Sequence, residues 1–130
     1  MTNFLFVYGT LRHGQNNEMS DFLKQHSSYE SLGQFQGKLY QVDYYPGAVE
    51  STNSDDSVIG DIYRLNDVET VLTKLDEYEE APTEYQRVER QIKSSKGEIL
   101  NCWIYLYNED TSSLKQIVTG DFLCPQTSTT

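Results

Sequence analysis

The sequence has little of what most metal, disulfide and membrane proteins depend on. Its two cysteines, Cys102 and Cys124, stand in no CxxC or other metal-binding spacing, which favours two reduced thiols. The sequence has only two histidines, His13 and His26, which argues against a histidine metal site and against a Ser-His-Asp triad. The longest apolar runs, such as residues 4–8, are far shorter than a membrane span, and no basic segment with an apolar stretch opens the chain. We therefore expect a cytoplasmic protein with no metal site.

Basic side chains are also scarce. Ten lysines and arginines face twenty aspartates and glutamates, giving a formal charge of −10. A chain with this balance has no basic patch to attract nucleic acid or anionic membranes, so we expect neither as a partner. A small substrate stays possible, because its site can carry a local field of its own. The length of 130 residues and the hydrophobic fraction of 37% predict one soluble globular domain.

The clearest pattern is an amphipathic helix over residues 66–80. Asn66 and Glu69 have the spacing of a capping box, which predicts the helix start. At about 100° per residue, Glu79 falls roughly 20° from the middle of the apolar stripe, whereas the other carboxylates of the DEYEE segment point away from it. Four residues at i, i+3, i+4 and i+7 form the stripe: Val68, Val71, Leu72 and Leu75.

Glu79 is therefore a candidate catalytic residue. A buried carboxylate is costly unless it is hydrogen-bonded, protonated or used, and burial raises its pKa toward the range that a general base needs. The alternative is that the acidic run at the end of the helix is a solvated face. The helix could also fray before Glu79, in which case the helical wheel no longer applies.

The remaining segments predict mainly strands. Together with one or two helices they suggest an α+β fold whose sheet curls toward a barrel. We expect one domain over residues 1–125 and a flexible tail over 126–130. The predicted elements are a strand over 3–8, a weak helix over 16–25, one or two bent strands within 29–45, a turn at Pro46-Gly47, a polar loop over 53–56, a strand over 57–65, and a hairpin of 85–94 and 98–107 around Lys96-Gly97.

A short motif follows the first strand. Gly9 permits a tight bend, and a glycine also lets successive backbone N–H groups face an anionic ligand. Combined with an inward glutamate on a later helix, the motif resembles the γ-glutamylcyclotransferase-like family, which includes the γ-glutamylamine cyclotransferases and the AIG2-like proteins. The resemblance rests on VYGTLR at 7–12, YPGAV at 45–49, SVIGDIYRL at 57–65, LDEYE at 75–79, EYQRVE at 84–89, WIYLY at 103–107 and, more loosely, TGDF at 119–122.

The resemblance implies a small mixed β-barrel flanked by a few helices, with a cavity at the barrel edge and no metal or organic cofactor. It makes Glu79, the last residue of L-D-x-x-E, the catalytic carboxylate. Tyr85 takes the place of a cavity-lining tyrosine, and Tyr107 is a weaker candidate whose alternative role is aromatic packing. Many relatives have glycine where this chain has Glu80. The loop that binds the glutamyl part of the substrate is implied to be Tyr8, Gly9, Thr10 and Leu11.

The implied reaction cyclises a γ-glutamyl amine or γ-glutamyl amino acid to 5-oxoproline and releases the amine, with Glu79 as general acid and base. The identity of the substrate stays open among γ-glutamyl amino acids, γ-glutamyl-lysine from protein crosslinks and other γ-glutamylated metabolites. One alternative is a non-catalytic ligand-binding domain on the same fold. A retained inward glutamate argues against it, because a binder of an anionic glutamyl group gains nothing from a buried like charge. A second alternative is a partner-binding surface built from the ten tyrosines. Packing of these tyrosines in the core explains their number more simply.

Overall fold

The computed structural model describes residues 2–124, and the tail predicted over 126–130 lies outside them. Most of the elements are strands, and two helices interrupt them in an α+β arrangement. Within the described residues the elements are β1 (Phe4–Val7), α1 (Glu18–Gln25), β2 (Ser27–Phe35), β3 (Gly37–Gln41), β4 (Pro46–Glu50), β5 (Val58–Leu65), α2 (Val68–Tyr78), β6 (Tyr85–Ser94), β7 (Ile99–Tyr107) and β8 (Lys115–Gln116).

Five strands form a closed barrel in the order β1-β5-β2-β6-β7. Neighbouring strands are antiparallel except at the closure, where β1 runs parallel to β7 with Phe4 opposite Cys102 and Leu5 opposite Trp103. A bulge between Tyr29 and Ser31 bends β2. The other three strands form a small sheet in the order β4-β3-β8. The predicted mixed barrel with flanking helices is confirmed.

At β1 the barrel wall is buried on both faces, which explains why this strand is apolar at successive positions. Neighbouring residues of a strand point to opposite faces. Phe6 packs with Ile62, Ile92 and Ile104 in the cluster enclosed by the strands. Leu5 and Val7 pack outward into the cluster that α2 completes. The inner faces of α2 bury Val71, Leu72 and Leu75, each worth about 1.5–3 kcal/mol of hydrophobic free energy relative to exposure.

Helix α2 differs from the prediction at both ends. Asp67 is its N-cap, accepting from the Thr70 N–H, so the predicted Asn66–Glu69 capping box is wrong. The Asn66 N–H instead donates to the carbonyl oxygen of His26 at 2.9 Å. The helix ends at Tyr78, and Glu79 is its C-cap with φ −84° and ψ −2°. These angles are still helical, so Glu79 continues the apolar face as the wheel predicts.

The turn predicted at Pro46-Gly47 is wrong, because Pro46 begins β4. The turn lies just before it, where the N–H groups of Val42 and Asp43 donate to the carbonyl oxygen of Tyr45. Proline suits the first residue of an edge strand, since its missing N–H is not needed there. Gly47 is required by packing: a Cβ on it would lie 2.7 Å from the Cβ of Tyr107.

Other predictions need small changes. The weak helix predicted over 16–25 is α1, which begins at Glu18 behind an Asn17–Ser20 capping box. The predicted hairpin is confirmed as β6 and β7. Among residues 2–124, the helices are too short to span a lipid bilayer.

Candidate active site

A cavity of about 110 Å³ opens beside the barrel, where β1 and α2 both end. Six of the seven predicted site residues line it: Glu79, Tyr85 and the four residues of the loop after β1, here called loop 8–11. The lining comprises Phe6, Val7, Tyr8, Gly9, Thr10, Leu11, Tyr44, Tyr45, Pro46, Tyr78, Glu79, Glu80, Glu84, Tyr85 and Tyr105. The topology thus gathers the residues that sequence reasoning could place only separately.

Tyr107, the seventh predicted residue, lies behind the cavity wall. Its ring packs edge-on against the ring of Tyr85, with centroids 5.5 Å apart, and covers Gly47. The packing role that was left open for Tyr107 fits this position.

Glu79 lies at the point where α2 reaches the cavity. Its backbone N–H donates to the carbonyl oxygen of Leu75 at 2.8 Å, which fixes the residue at the end of α2. The side chain is half-buried: protein surrounds it except toward the cavity. Burial first, and then the negative charge of Glu84, raise the pKa of Glu79 from 4.5 to about 7. A carboxyl group with this pKa can both accept and return a proton near neutral pH.

Loop 8–11 is held in a tight turn that lines the same cavity. The Arg12 N–H closes the turn by donating to the carbonyl oxygen of Gly9 at 3.1 Å. Asn17 Nδ2 donates to the carbonyl oxygen of Thr10 at 2.8 Å, and Thr10 Oγ1 lies 3.1 Å from the hydroxyl of Tyr78. A Cβ on Gly9 would lie 2.8 Å from Pro46 Cδ, so this approach of the loop to β4 requires glycine.

The hydroxyls of the two tyrosines predicted as site residues that line the cavity, Tyr8 and Tyr85, form hydrogen bonds to the backbone. The Tyr8 hydroxyl donates to the carbonyl oxygen of Tyr105 at 2.5 Å and accepts from the Ala48 N–H at 3.1 Å. The Tyr85 hydroxyl donates to the carbonyl oxygen of Pro46 at 2.6 Å. Burial raises the pKa of both phenols above its ordinary value, so both stay protonated. Each phenol has one proton to donate, so neither hydroxyl keeps a proton for a ligand.

Sequence reasoning missed the pair that closes the cavity wall. The Tyr45 hydroxyl donates to Glu84 Oε2 at 2.5 Å. The two residues are far apart in sequence, although both fall in segments that carry the family resemblance. The like charge that acts on Glu79 is that of Glu84, not that of its sequence neighbour Glu80. Glu80 also lines the cavity, and its positive φ of 55° is the left-handed conformation that favours glycine.

Two ion-pair networks hold the walls of the cavity. The guanidinium of Arg12, directly after loop 8–11, binds Asp61 at 2.8 Å and Asp121 at 2.9 Å. Asp61 also accepts from the His13 N–H at 2.8 Å, so the loop is fastened to β5. Both Arg12 and Asp61 are buried. The network joins the 7–12, 57–65 and 119–122 segments in space.

The second network fixes the end of α2. Arg87 binds Asp76 through two hydrogen bonds of 2.7 and 3.0 Å, and the Tyr105 hydroxyl donates to the same carboxylate at 2.7 Å. Asp76 lies three residues before Glu79, so strands β6 and β7 together position the last turn of the helix. A search of residues 2–124 finds no group of three or more histidines, cysteines and acidic residues that could hold a metal ion.

Comparisons with known proteins agree with this geometry. The model of the family described as gamma-glutamyl cyclotransferase, AIG2-like, matches residues 5–124. A Vibrio cholerae protein provisionally named a gamma-glutamylcyclotransferase is 39% identical over 126 residues, covering 94% of this chain and 96% of its own. The gamma-L-glutamyl-butirosin B gamma-glutamyl cyclotransferase of Niallia circulans is 34% identical over 113 residues, covering 82% of this chain and 67% of its own.

Solved structures show the same architecture. The crystal structure of a mouse AIG2-like protein superposes with a TM-score of 0.71 at 25% identity, covering 88% of this chain and 84% of the mouse chain. A family model that matches nearly the whole described chain, close relatives of similar length and a shared fold lead to one conclusion. The chain belongs to the gamma-glutamyl cyclotransferase, AIG2-like family.

Proposed function

We propose that this protein cyclises the γ-glutamyl group of a γ-glutamyl amine or γ-glutamyl amino acid to 5-oxoproline and releases the free amine, with Glu79 as general acid and base. The single observation that carries the proposal is that Glu79, with its raised pKa, lines the same cavity as loop 8–11. The relatives named as cyclotransferases support the reaction class.

The reaction is an internal aminolysis. The α-nitrogen of the glutamyl group forms a bond to its own γ-carbonyl carbon, and the bond from that carbon to the leaving nitrogen breaks. Overall, the α-ammonium loses two of its three protons and the leaving nitrogen gains two, so no water is consumed. The barrier has two sources: the ammonium cannot attack while it is protonated, and the amide nitrogen leaves poorly until it is protonated.

Glu79 addresses both difficulties. Its ionised carboxylate takes a proton from the α-ammonium, and the resulting carboxylic acid gives a proton to the departing nitrogen. Because its pKa is about 7, both forms are present near neutral pH. A positioned acid or base of this kind contributes about 10²–10⁴-fold to the rate.

Loop 8–11 supplies the positioning. Successive backbone N–H groups in such a turn are suited to hold the α-carboxylate of the substrate or the oxyanion that develops on the γ-carbonyl oxygen. The hydroxyls of Tyr8 and Tyr85 already donate to carbonyl oxygens, so these phenols stabilise the cavity wall and do not donate to the substrate. Since nucleophile and carbonyl belong to one molecule, holding the glutamyl chain folded replaces a collision between two molecules. No side-chain nucleophile is needed.

The test is the Glu79→Gln variant, assayed for 5-oxoproline and free amine with a panel of γ-glutamyl compounds. We expect kcat to fall at least about 10²-fold, because glutamine cannot exchange protons, while ligand binding persists. Glu77→Gln is the matched control, since Glu77 is exposed on the same helix and does not line the cavity.

Near-native turnover by Glu79→Gln contradicts the assigned role. Binding of γ-glutamyl compounds by the wild-type protein without any turnover would instead support a non-catalytic ligand-binding domain.

A further inference from the structure

The cavity is acidic, and the basic residues next to it are already neutralised. Its lining includes three glutamates, Glu79, Glu80 and Glu84, and no lysine, arginine or histidine. Arg12 follows loop 8–11 in sequence but binds Asp61 and Asp121. The other nearby guanidinium, on β6, forms two hydrogen bonds to Asp76. The lining therefore offers no cationic side chain to an anionic group.

This charge pattern discriminates between leaving groups. The glutamyl part of every substrate carries one ammonium and one carboxylate, so the leaving amine sets the net charge. A leaving amino acid brings a second carboxylate, and the charged side chains that line the cavity are all carboxylates, which would repel it. A leaving diamine brings an ammonium, which would pair with them. Charges in a partly enclosed site interact more strongly than charges in bulk water.

Exposed aromatic rings at the cavity point to the same kind of ligand. Tyr44 is 74% exposed and Tyr78 is 40% exposed, and both line the cavity. The ring of Tyr44 packs edge-on against Tyr45, whose hydroxyl holds Glu84. The face of a tyrosine ring attracts ammonium groups, and its apolar body contacts alkyl chains. Rings and carboxylates together suit an alkyl chain that ends in a cation.

We infer that the preferred substrates are γ-glutamyl amides of amines that carry a second, cationic group, with Glu84 and Glu80 as the residues that select the cation. This inference rests on the proposed cyclotransferase function and narrows its substrate class. Within the three classes that the sequence left open, it disfavours γ-glutamyl amino acids.

The experiment compares three γ-glutamyl amides of similar length: 3-aminopropylamide, which is cationic, butylamide, which is neutral, and the amide of β-alanine, which is anionic. We expect kcat/KM to be about tenfold or more higher for the cationic than for the anionic amide. Raising the salt from about 20 mM to about 500 mM should shrink the difference, because the interaction is electrostatic.

Variants assign the effect to residues. Glu84→Gln should reduce the ratio of kcat/KM between the cationic and the neutral amide, because the glutamine keeps the acceptor for Tyr45 but loses the charge. Glu80→Gln should reduce the ratio as well. Glu77→Gln, which removes a charge from the same helix outside the cavity, should not change it.

The outcomes separate this inference from the function it rests on. Turnover of all three amides with no preference for the cation, or with a preference for the anion, overturns the inference and leaves the cyclotransferase function intact. Turnover of none overturns the proposed function for this class of compound. In that case the dissociation constants of the three amides, measured by calorimetry, still decide the inference: tighter binding of the cation supports it, and equal or weaker binding overturns it.

Discussion

Glu79 and Glu84 line one cavity, and the charge of Glu84 adds to burial in raising the pKa of Glu79 to about 7. Different elements bring the two carboxylates together: Glu79 caps α2, whereas Glu84 precedes β6 and is held by the hydroxyl of Tyr45. The pair matters because the negative charge of Glu84 makes Glu79 a stronger base, and so a better acceptor of the proton on the α-ammonium.

The pH dependence of turnover should show this coupling. We expect kcat/KM to rise with pH through an apparent pKa of about 7, since only the ionised form of Glu79 accepts a proton. In Glu84→Gln this limb should move to lower pH, because removal of a neighbouring negative charge lowers the pKa of Glu79. Steady-state kinetics between about pH 5 and pH 9 measure both limbs. A flat profile across neutral pH would contradict the assignment.

The same group links pH to stability. The folded-state pKa of Glu79 lies above its unfolded value, so the fold is favoured while Glu79 is protonated, and this stability is lost as pH rises through about 7. Glu79→Gln keeps the neutral form at every pH. We expect it to raise the free energy of unfolding by about 1–3 kcal/mol above neutral pH, with no gain below about pH 4.5. Urea unfolding at the two extremes of pH tests the sign.

Position 80 separates backbone strain from charge. Glu80 has a φ of 55°, a region in which a Cβ costs about 1 kcal/mol. Glu80→Gly should therefore unfold with a free energy about 1 kcal/mol higher than Glu80→Ala, since the two variants remove the same charge and differ only in the Cβ. Chemical denaturation of both variants measures the difference. Equal stability would show that the left-handed conformation carries no strain.

Tyr8 should matter to stability more than to chemistry. Tyr8→Phe leaves the Ala48 N–H and the Tyr105 carbonyl without their buried partner, which costs about 1–3 kcal/mol. Turnover of the folded variant should fall less than in Glu79→Gln, because loop 8–11 acts through its backbone. Tyr40→Phe, on β3 outside the cavity, is the control and should be close to neutral. A kcat loss in Tyr8→Phe as large as that in Glu79→Gln would give the Tyr8 hydroxyl a direct part in the reaction.

Local patterns in the sequence predicted the elements whose signal is contained within one segment. The period of the α2 stripe was enough to aim Glu79 inward, and the hairpin of β6 and β7 followed from its alternation and its Lys96-Gly97 turn. The N-cap was missed because Asn66 and Asp67 have the same capping chemistry, and the backbone of Asn66 is engaged by His26.

Features that depend on pairing across the chain were not predictable in this way. Pro46-Gly47 reads as a turn in isolation, and its place in a strand follows from pairing with β3 and from the ring of Tyr107. Likewise, the sequence around Tyr45 and around Glu84 contains no pattern that predicts their hydrogen bond. The resemblance supplied the site residues, and the fold supplied the distances between them.

The parallel seam between β1 and β7 has a consequence for how the protein becomes functional. Phe4 pairs with Cys102 across it, so the barrel closes only when residues 98 positions apart in sequence come into contact. Ordering so long a loop is slow relative to local hairpin formation. The residues that line the cavity run from Phe6 to Tyr105, so we expect the cavity to form only when the barrel closes. Substrate binding and turnover should consequently be recovered in a single step during refolding, together with the pairing of β1 and β7.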